Sequence, residues 1–238
     1  MPNWCQNSLT ISHNDPAMIA RARQAIKDDW LLSEFIPVPQ ELVDTVATSG
    51  GYADAEEQRK LSEQISKNLE THGYKDWYDF CVHEWGTKWD ISGGEIAGES
   101  DTSLTIYFET AWSPPIKAYR KLDEQGFTIE AMYYESGMAF CGEYTTAHGE
   151  DSMTITGDSD WVEANIPTHI DEAFAISESM AEWETDEDDE EDENEELIDK
   201  VIARIKADIE VGDMTAIAEL LTFIPETNLK GYLSEVDN

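Results

Sequence analysis

The chain has 238 residues and a formal net charge of −37, from 15 Lys plus Arg against 52 Asp plus Glu, which argues against a nucleic-acid reader with a basic platform. Eight Trp, nine Tyr and seven Phe can build a core, and no stretch nears the roughly 18 apolar residues of a membrane span. Cys5, Cys81 and Cys141 are far apart and odd in number, which argues against a disulfide framework and for a reducing cytoplasm. Met1-Pro2-Asn3-Trp4 leads straight into a polar, strand-like run with no basic segment and no apolar segment of a signal sequence, so no leader is expected.

In chain order, Cys5 to Ser12 alternates Asn7, Leu9 and Ile11 with Ser8 and Thr10, the period of a strand. Asp15-Pro16 opens a helix whose apolar face is Met18, Ile19, Ala22, Ala25 and Ile26, extended by Trp30. Phe35-Ile36-Pro37-Val38-Pro39 ends it, because a residue before Pro is pushed out of the α region. An insertion follows over about 52–85: a Ser49-Gly50-Gly51 loop, a polar helix from Glu56 to His72 striped by Leu61, Ile65 and Leu69, and an aromatic helix from Asp76 to Trp85. Strands are expected at Thr87 to Ser92 and Thr102 to Thr110, then a helix from Ser113-Pro114 to Gln125 stopped by Gly126. Phe127 to Glu135 and Met138 to Thr146 read as a hairpin about Ser136-Gly137, with Ser152 to Thr156 as an edge strand.

The order β-α-(αα)-β-β-α-β-β is the split βαβ arrangement of an α+β, ferredoxin-like sandwich over residues 1–157. Residues 158–177 read as a connecting helical segment, interrupted at Pro167. Glu178 to Glu196 carries 13 acids in 19 residues and is expected to behave as a self-repelling linker. In 197–238 an apolar stripe through Leu197, Val201 and Ile205, a Gly212-Asp213 turn, and Ile217, Leu220 and Leu221 form a helical hairpin stopped by Pro225. A hairpin of about 40 residues buries little alone and is expected to dock on a body, a partner or a second copy.

Several blocks in sequence carry a resemblance: Met1-Pro2-Asn3-Trp4-Cys5-x-Asn7, Phe35-Ile36-Pro37-x-Pro39, Trp85-Gly86-Thr87-Lys88-Trp89-Asp90, Thr110-Ala111-Trp112-Ser113-Pro114-Pro115, Tyr134-Glu135-x-Gly137 and Phe140-x-Gly142. Over roughly residues 1–157 the chain resembles the YubB-type ferredoxin-like family of phage and plasmid proteins. Its final segment resembles a short helical tail of tailed-phage proteins. The resemblance implies a fold and a mobile-element origin, and no catalytic residues.

Four constellations bear on function. Trp85, Lys88, Trp89, Asp90 and Trp112 form either a pocket for a flat ligand such as a nucleotide or an ordinary core. Cys81-x-His83 with Cys5 and Cys141 has no metal-ligand spacing, and no metal or other cofactor is expected. No motif of phosphate cradling or nucleophilic catalysis is present; Glu109 and Glu135 could share a proton if neighbours, but an enzyme is not expected. Finally, no Lys or Arg occurs from Leu122 to Asp199, 78 residues holding 26 acids. Glu130, Glu135, Glu143, Glu150, Asp151, Asp158 and Asp160 are therefore candidate acids for a basic protein partner. The acidity reads either as solubility or as a DNA-mimic-like inhibitor of a nucleic-acid-handling or defence enzyme. The expected role is that of a non-enzymatic accessory protein that binds a host or phage protein and not nucleic acid directly. Self-association through the hairpin is the further option.

Overall fold

The computed structural model describes residues 3–46 and 54–230, with side chains described outside 185–196. The expected Ser49-Gly50-Gly51 loop lies outside the described residues. Strand β1 (Trp4–Ser12) leads into α1 (Pro16–Lys27), where the Ala17 N–H donates to the Asp15 carboxylate at 2.9 Å and Pro16 takes the first turn. The helix stops at Lys27 and does not reach Trp30: Asp29 adopts φ +61°, and two short helices follow, α2 (Leu31–Phe35) and α3 (Gln40–Val43). Helix α4 (Ala55–His72) starts on an Asp54/Glu57 capping box and ends at left-handed Gly73, and α5 (Trp77–Glu84) starts on Asp76.

Next come β2 (Glu95–Glu99), β3 (Ser103–Ala111), α6 (Ile116–Glu124), β4 (Thr128–Glu135), β5 (Phe140–Thr145) and β6 (Gly149–Thr154). The strand expected at Thr87 to Ser92 is absent, and β2 begins at Glu95 instead. The reason is local: Asp90 is tied to the start of α2, and Gly93 turns the chain at φ +68°.

The strands form one antiparallel sheet in the order β2-β3-β1-β4-β5-β6. The crossover β1-α1-β2 steps over β3, and β3-α6-β4 steps over β1. That interleaving is the split βαβ topology of a ferredoxin-like sandwich, extended by β5 and β6. One sheet face buries Leu9, Ile11, Ile106, Phe108, Ile129 and Tyr133, covered by Ile19 and Ile26 of α1 and Tyr119 and Leu122 of α6. Each such side chain contributes about 1.5–3 kcal/mol relative to exposure.

The opposite face is partly covered by α7 (Ser159–Asn165) and α8 (Thr168–Phe174). Ile155, Val162, Ile166, Ile170, Ile176 and Cys141 are buried apart from the main core, as a second, smaller one. The His169 Nε2 atom lies 2.8 Å from a Glu143 carboxylate oxygen, and the Tyr134 and Phe174 rings are 6.2 Å apart.

The chain divides into two compact units, residues 1–178 and 179–238. Helix α9 (Ile176–Val211) runs 36 residues through the stretch expected to be an extended linker. Glu is a good helix former, so a Glu-rich run can continue as helix. At its end the Gly212 N–H donates to the Ile209 carbonyl and the Asp213 N–H to that of Asp208, a Schellman turn into α10 (Thr215–Thr222). Ile217 is the one large apolar side chain buried among the described residues of this second unit.

Candidate functional site

The aromatic set that reads either as a ligand pocket or as core divides into a buried part and an exposed part. Trp85 is buried, and its indole N–H donates to the Ile36 carbonyl at 3.0 Å. The Ser113 hydroxyl donates to the Gly86 carbonyl at 2.7 Å, and the Thr87 hydroxyl to that of Ala111 at 3.2 Å. Three of the recognisable sequence blocks thus meet at one junction, where Gly86 sits at φ +90° with the backbone of Pro114 and Ile116 against it. Asp90 is structural as well. Its carboxylate accepts the N–H groups of Leu32 at 2.8 Å, Ser33 at 2.7 Å and Ile91 at 2.8 Å, while burial pushes its pKa up.

Trp89 and Trp112 stay about 40% exposed and stack with centroids 6.5 Å apart and planes 22° from parallel. The Lys88 ammonium lies 4.2 Å from the Trp89 ring, 5.4 Å from Trp112 and 5.8 Å from Tyr78. Trp4 continues the ladder, 6.1 Å from Trp89. Lys88 therefore supplies a built-in cation to the exposed part of that set.

The candidate acids also divide. Glu135 is 1% exposed and accepts the N–H groups of Gly137 at 3.0 Å and Met138 at 2.5 Å, so it closes the β4–β5 turn and is not a surface acid. It stands on the core face opposite Cys5, whereas Glu109 is opposite Gln6 on the other face with β1 between them, so the two cannot share a proton. Asp158 caps α7 through the Trp161 N–H at 2.9 Å. Glu150 is 3.5 Å from Arg120 and 3.4 Å from the Tyr133 hydroxyl. Glu130, Glu143 and Asp151 share the face turned away from α1 and α6, with Glu143 directly opposite Asp151, and Asp160 is exposed at the start of α7.

No Lys or Arg occurs in any of the six strands or in α7 and α8, while the strands hold eight carboxylates. The eleven bases of residues 1–178 all fall on α1, α4 and α6 or beside α5. The sandwich is thus electrically two-sided.

On the base-free side lies a trough of about 680 Å³ between β3 and the end of α8. Tyr107, Phe174, Glu95, Glu109, Glu172 and Gln6 line it. A second cavity of about 310 Å³ shares Ser92 and Glu109 with it and reaches Trp4 and Trp89. Sequence reasoning missed this site, apart from Glu109 and Trp89, because its walls come from β1, β2, β3 and α8. Its one local signal is Tyr107, an aromatic on the outward phase of an alternating strand.

In the second unit Val201, Ile205, Ile217 and Leu220 line a groove of about 360 Å³ with Lys200 and Arg204, while Leu197 and Leu221 are exposed. Among the described residues there is no cluster of three or more His, Cys, Asp or Glu placed to hold a metal, and no helix long and apolar enough to cross a membrane. Cys5 and Cys141 lie on opposite faces of the sheet and Cys81 lies on α5.

The fold and this site define an antiparallel ferredoxin-like α+β protein with an acidic, base-free sheet face. Residues 84–200 match the family described as the ferredoxin-like domain in Api92-like protein. Among solved structures the chain is similar to the crystal structure of protein Api92 from Yersinia pseudotuberculosis, at 12% identity and a TM-score of 0.36, over 66% of this chain and 99% of that one. No curated protein matches the sequence.

Proposed function

We propose that this protein acts by occupancy and not by catalysis, as a mobile-element accessory protein of the cytoplasm whose base-free face engages a basic surface on a host or phage protein. The observation that carries this reading is the segregation of charge. Six strands and two helices carry no Lys or Arg, and five strand carboxylates, Glu95, Glu109, Glu130, Glu143 and Asp151, stand together on the sheet face turned away from α1 and α6. Fields of one sign steer association, raising on-rates about 10- to 1000-fold at low salt. Duplex DNA presents one negative charge per roughly 1.7 Å of axis, so the natural target is a DNA-handling or defence enzyme with a basic channel. The resemblance of the Trp-Gly-Thr-Lys-Trp-style blocks to YubB-type proteins supports the phage or plasmid setting.

The test is surface plasmon resonance against a panel of purified nucleases and other DNA-binding enzymes over a series of salt concentrations. The combined variant Glu130→Gln, Glu143→Gln, Asp151→Asn is expected to slow association about tenfold at low salt and to change little at high salt. Duplex DNA is expected to compete for the partner. Binding that ignores both salt and this variant overturns the reading.

A further inference from the structure

We infer that the trough between β3 and α8 grips an arginine side chain carried on an extended basic segment of the protein partner. The inference rests on the reading of the acidic face given above and supplies it with an anchor. The cavity, about 680 Å³, is of the size that small-ligand sites take and exceeds one side chain. Two of its walls are aromatic: Tyr107 on β3, 47% exposed, and Phe174 at the end of α8. A guanidinium stacks on such rings through both its charge and its plane.

The polar groups are of one sign. The carboxylates of Glu95, Glu109 and Glu172 make no hydrogen bond or ion pair among the described residues, whereas those of Glu34, Glu84 and Glu99 elsewhere on the same unit are each paired with a base. No Lys, Arg or His lines either cavity. A phosphate-bearing ligand meets three carboxylates there and is repelled. A neutral flat ligand would desolvate those carboxylates without pairing them. A fork of N–H donors pairs them, and the charge-assisted bonds so formed are the strong kind.

The shape argues for an extended segment over a free cation. The smaller cavity continues from Glu109 to Trp4 and Trp89, so the two together follow β3 from Tyr107 to Ala111. Four strand residues span about 13 Å, the reach of roughly four residues of extended peptide. One arginine in the larger trough places the following residues against the tryptophan ladder.

The experiment titrates the full chain with a short capped peptide carrying two arginines, followed by Trp fluorescence and calorimetry. The parallel arms are the same peptide with citrulline, with lysine, and free spermidine. The arginine peptide is expected to bind about tenfold more tightly than the citrulline peptide, which keeps the shape and loses the charge. Glu109→Gln and Glu172→Gln are each expected to weaken it about tenfold, and Tyr107→Ala comparably, while Glu70→Gln, on the exposed side of α4, stays within about twofold. Thermal melting of each variant separates lost binding from lost folding, and the conservative Tyr107→Phe, which keeps the ring, is expected to restore affinity. Equal binding of the citrulline peptide, no binding at all, or spermidine competing equally while Tyr107→Ala is silent overturns the proposal. Should the face variant leave partner association untouched while the trough variants still weaken the peptide, the acidic-field reading falls and the trough stands. The reverse pattern sinks the trough alone.

Discussion

Cys5, Cys81 and Cys141 illustrate how burial decides chemistry at single residues. Burial is the first cause that pushes Cys5 and Cys81 up to about 12 and Cys141 up to about 11, with Glu135, Asp90 and Asp171 adding to the respective shifts. Each thiol therefore keeps its proton in the folded state where the unfolded chain releases it, from near 9 upward. With the folded pKa raised, the native state is at its full relative stability below about pH 9 and loses stability as pH climbs toward 11 to 12. The loss is up to about 1.4 kcal/mol per pH unit for each thiol. Urea midpoints taken from pH 8 to 10.5 are expected to fall steeply, and Cys141→Ala to fall with a shallower slope than the parent. A midpoint flat across that range, or an unchanged slope in the variant, contradicts the assignment. Glu135 follows the same logic of position. Standing just before Ser136-Gly137, it was legible as a turn acid, since the free N–H groups of such a turn need an acceptor, yet its charge alone suggests a surface role.

The elements that could be read from the sequence are those whose burial follows one period. In β1, β3 and β4 apolar and polar residues alternate, so their faces and pairings follow from the pattern. The β2 strand escaped because Glu95–Glu99 has no alternation, while the preceding Trp-rich run imitates a strand but is bent by Asp90 and Gly93. In α4 the expected stripe is poorly covered, with Leu61 and Ile65 half-buried and Leu69 exposed, and the buried residue is Asn68, whose amide donates to the Thr45 hydroxyl and the Lys75 carbonyl at 2.9 Å each. Periodicity cannot reveal a polar tie of that kind. The β4–β5–β6 extension depends on Gly142, which faces Tyr133 across the pair. A Cβ there would meet the Asp151 carbonyl oxygen and, at 2.5 Å, the Tyr133 hydroxyl. Gly142→Ala is accordingly expected to cost about 1–3 kcal/mol, because the β6 backbone at Asp151, held in register against β5, cannot retreat as a flexible side chain can. Amide exchange should show the loss concentrated in β5 and β6, and a variant as stable as the parent would mean that the sheet yields there.

Across the whole molecule the net charge was plain in the sequence but its geometry was not. Bases at Arg21, Arg23, Lys27, Arg59, Lys60, Lys67, Lys117, Arg120 and Lys121 look scattered along the chain, yet the topology gathers them on α1, α4 and α6. The sheet and α7–α8 are left without a Lys or Arg, and the trough draws its walls from segments some 170 residues apart, so no local pattern announces it. This arrangement has a cost that can be measured. Like charges opposite one another, as Glu143 and Asp151 are, destabilise a strand pair, and the repulsion acts over about 10 Å at 0.1 M salt and about 30 Å at 0.01 M. Raising sodium chloride from about 10 to 200 mM is therefore expected to stabilise the folded chain by on the order of 1 kcal/mol, or about 2–4 °C in Tm. Glu130→Gln with Asp151→Asn, which leaves the Glu143–His169 contact in place, should raise Tm at low salt and flatten its rise, because it removes repulsion that salt otherwise screens. Glu56→Gln with Glu63→Gln should do neither, since both carboxylates face Arg59 on α4 and removing them takes away attraction. Calorimetric melts of these three proteins at four salt concentrations distinguish the cases. Parallel salt curves for all three would show that the carboxylates of the sheet face do not feel one another, and the segregation of charge would then have no energetic consequence.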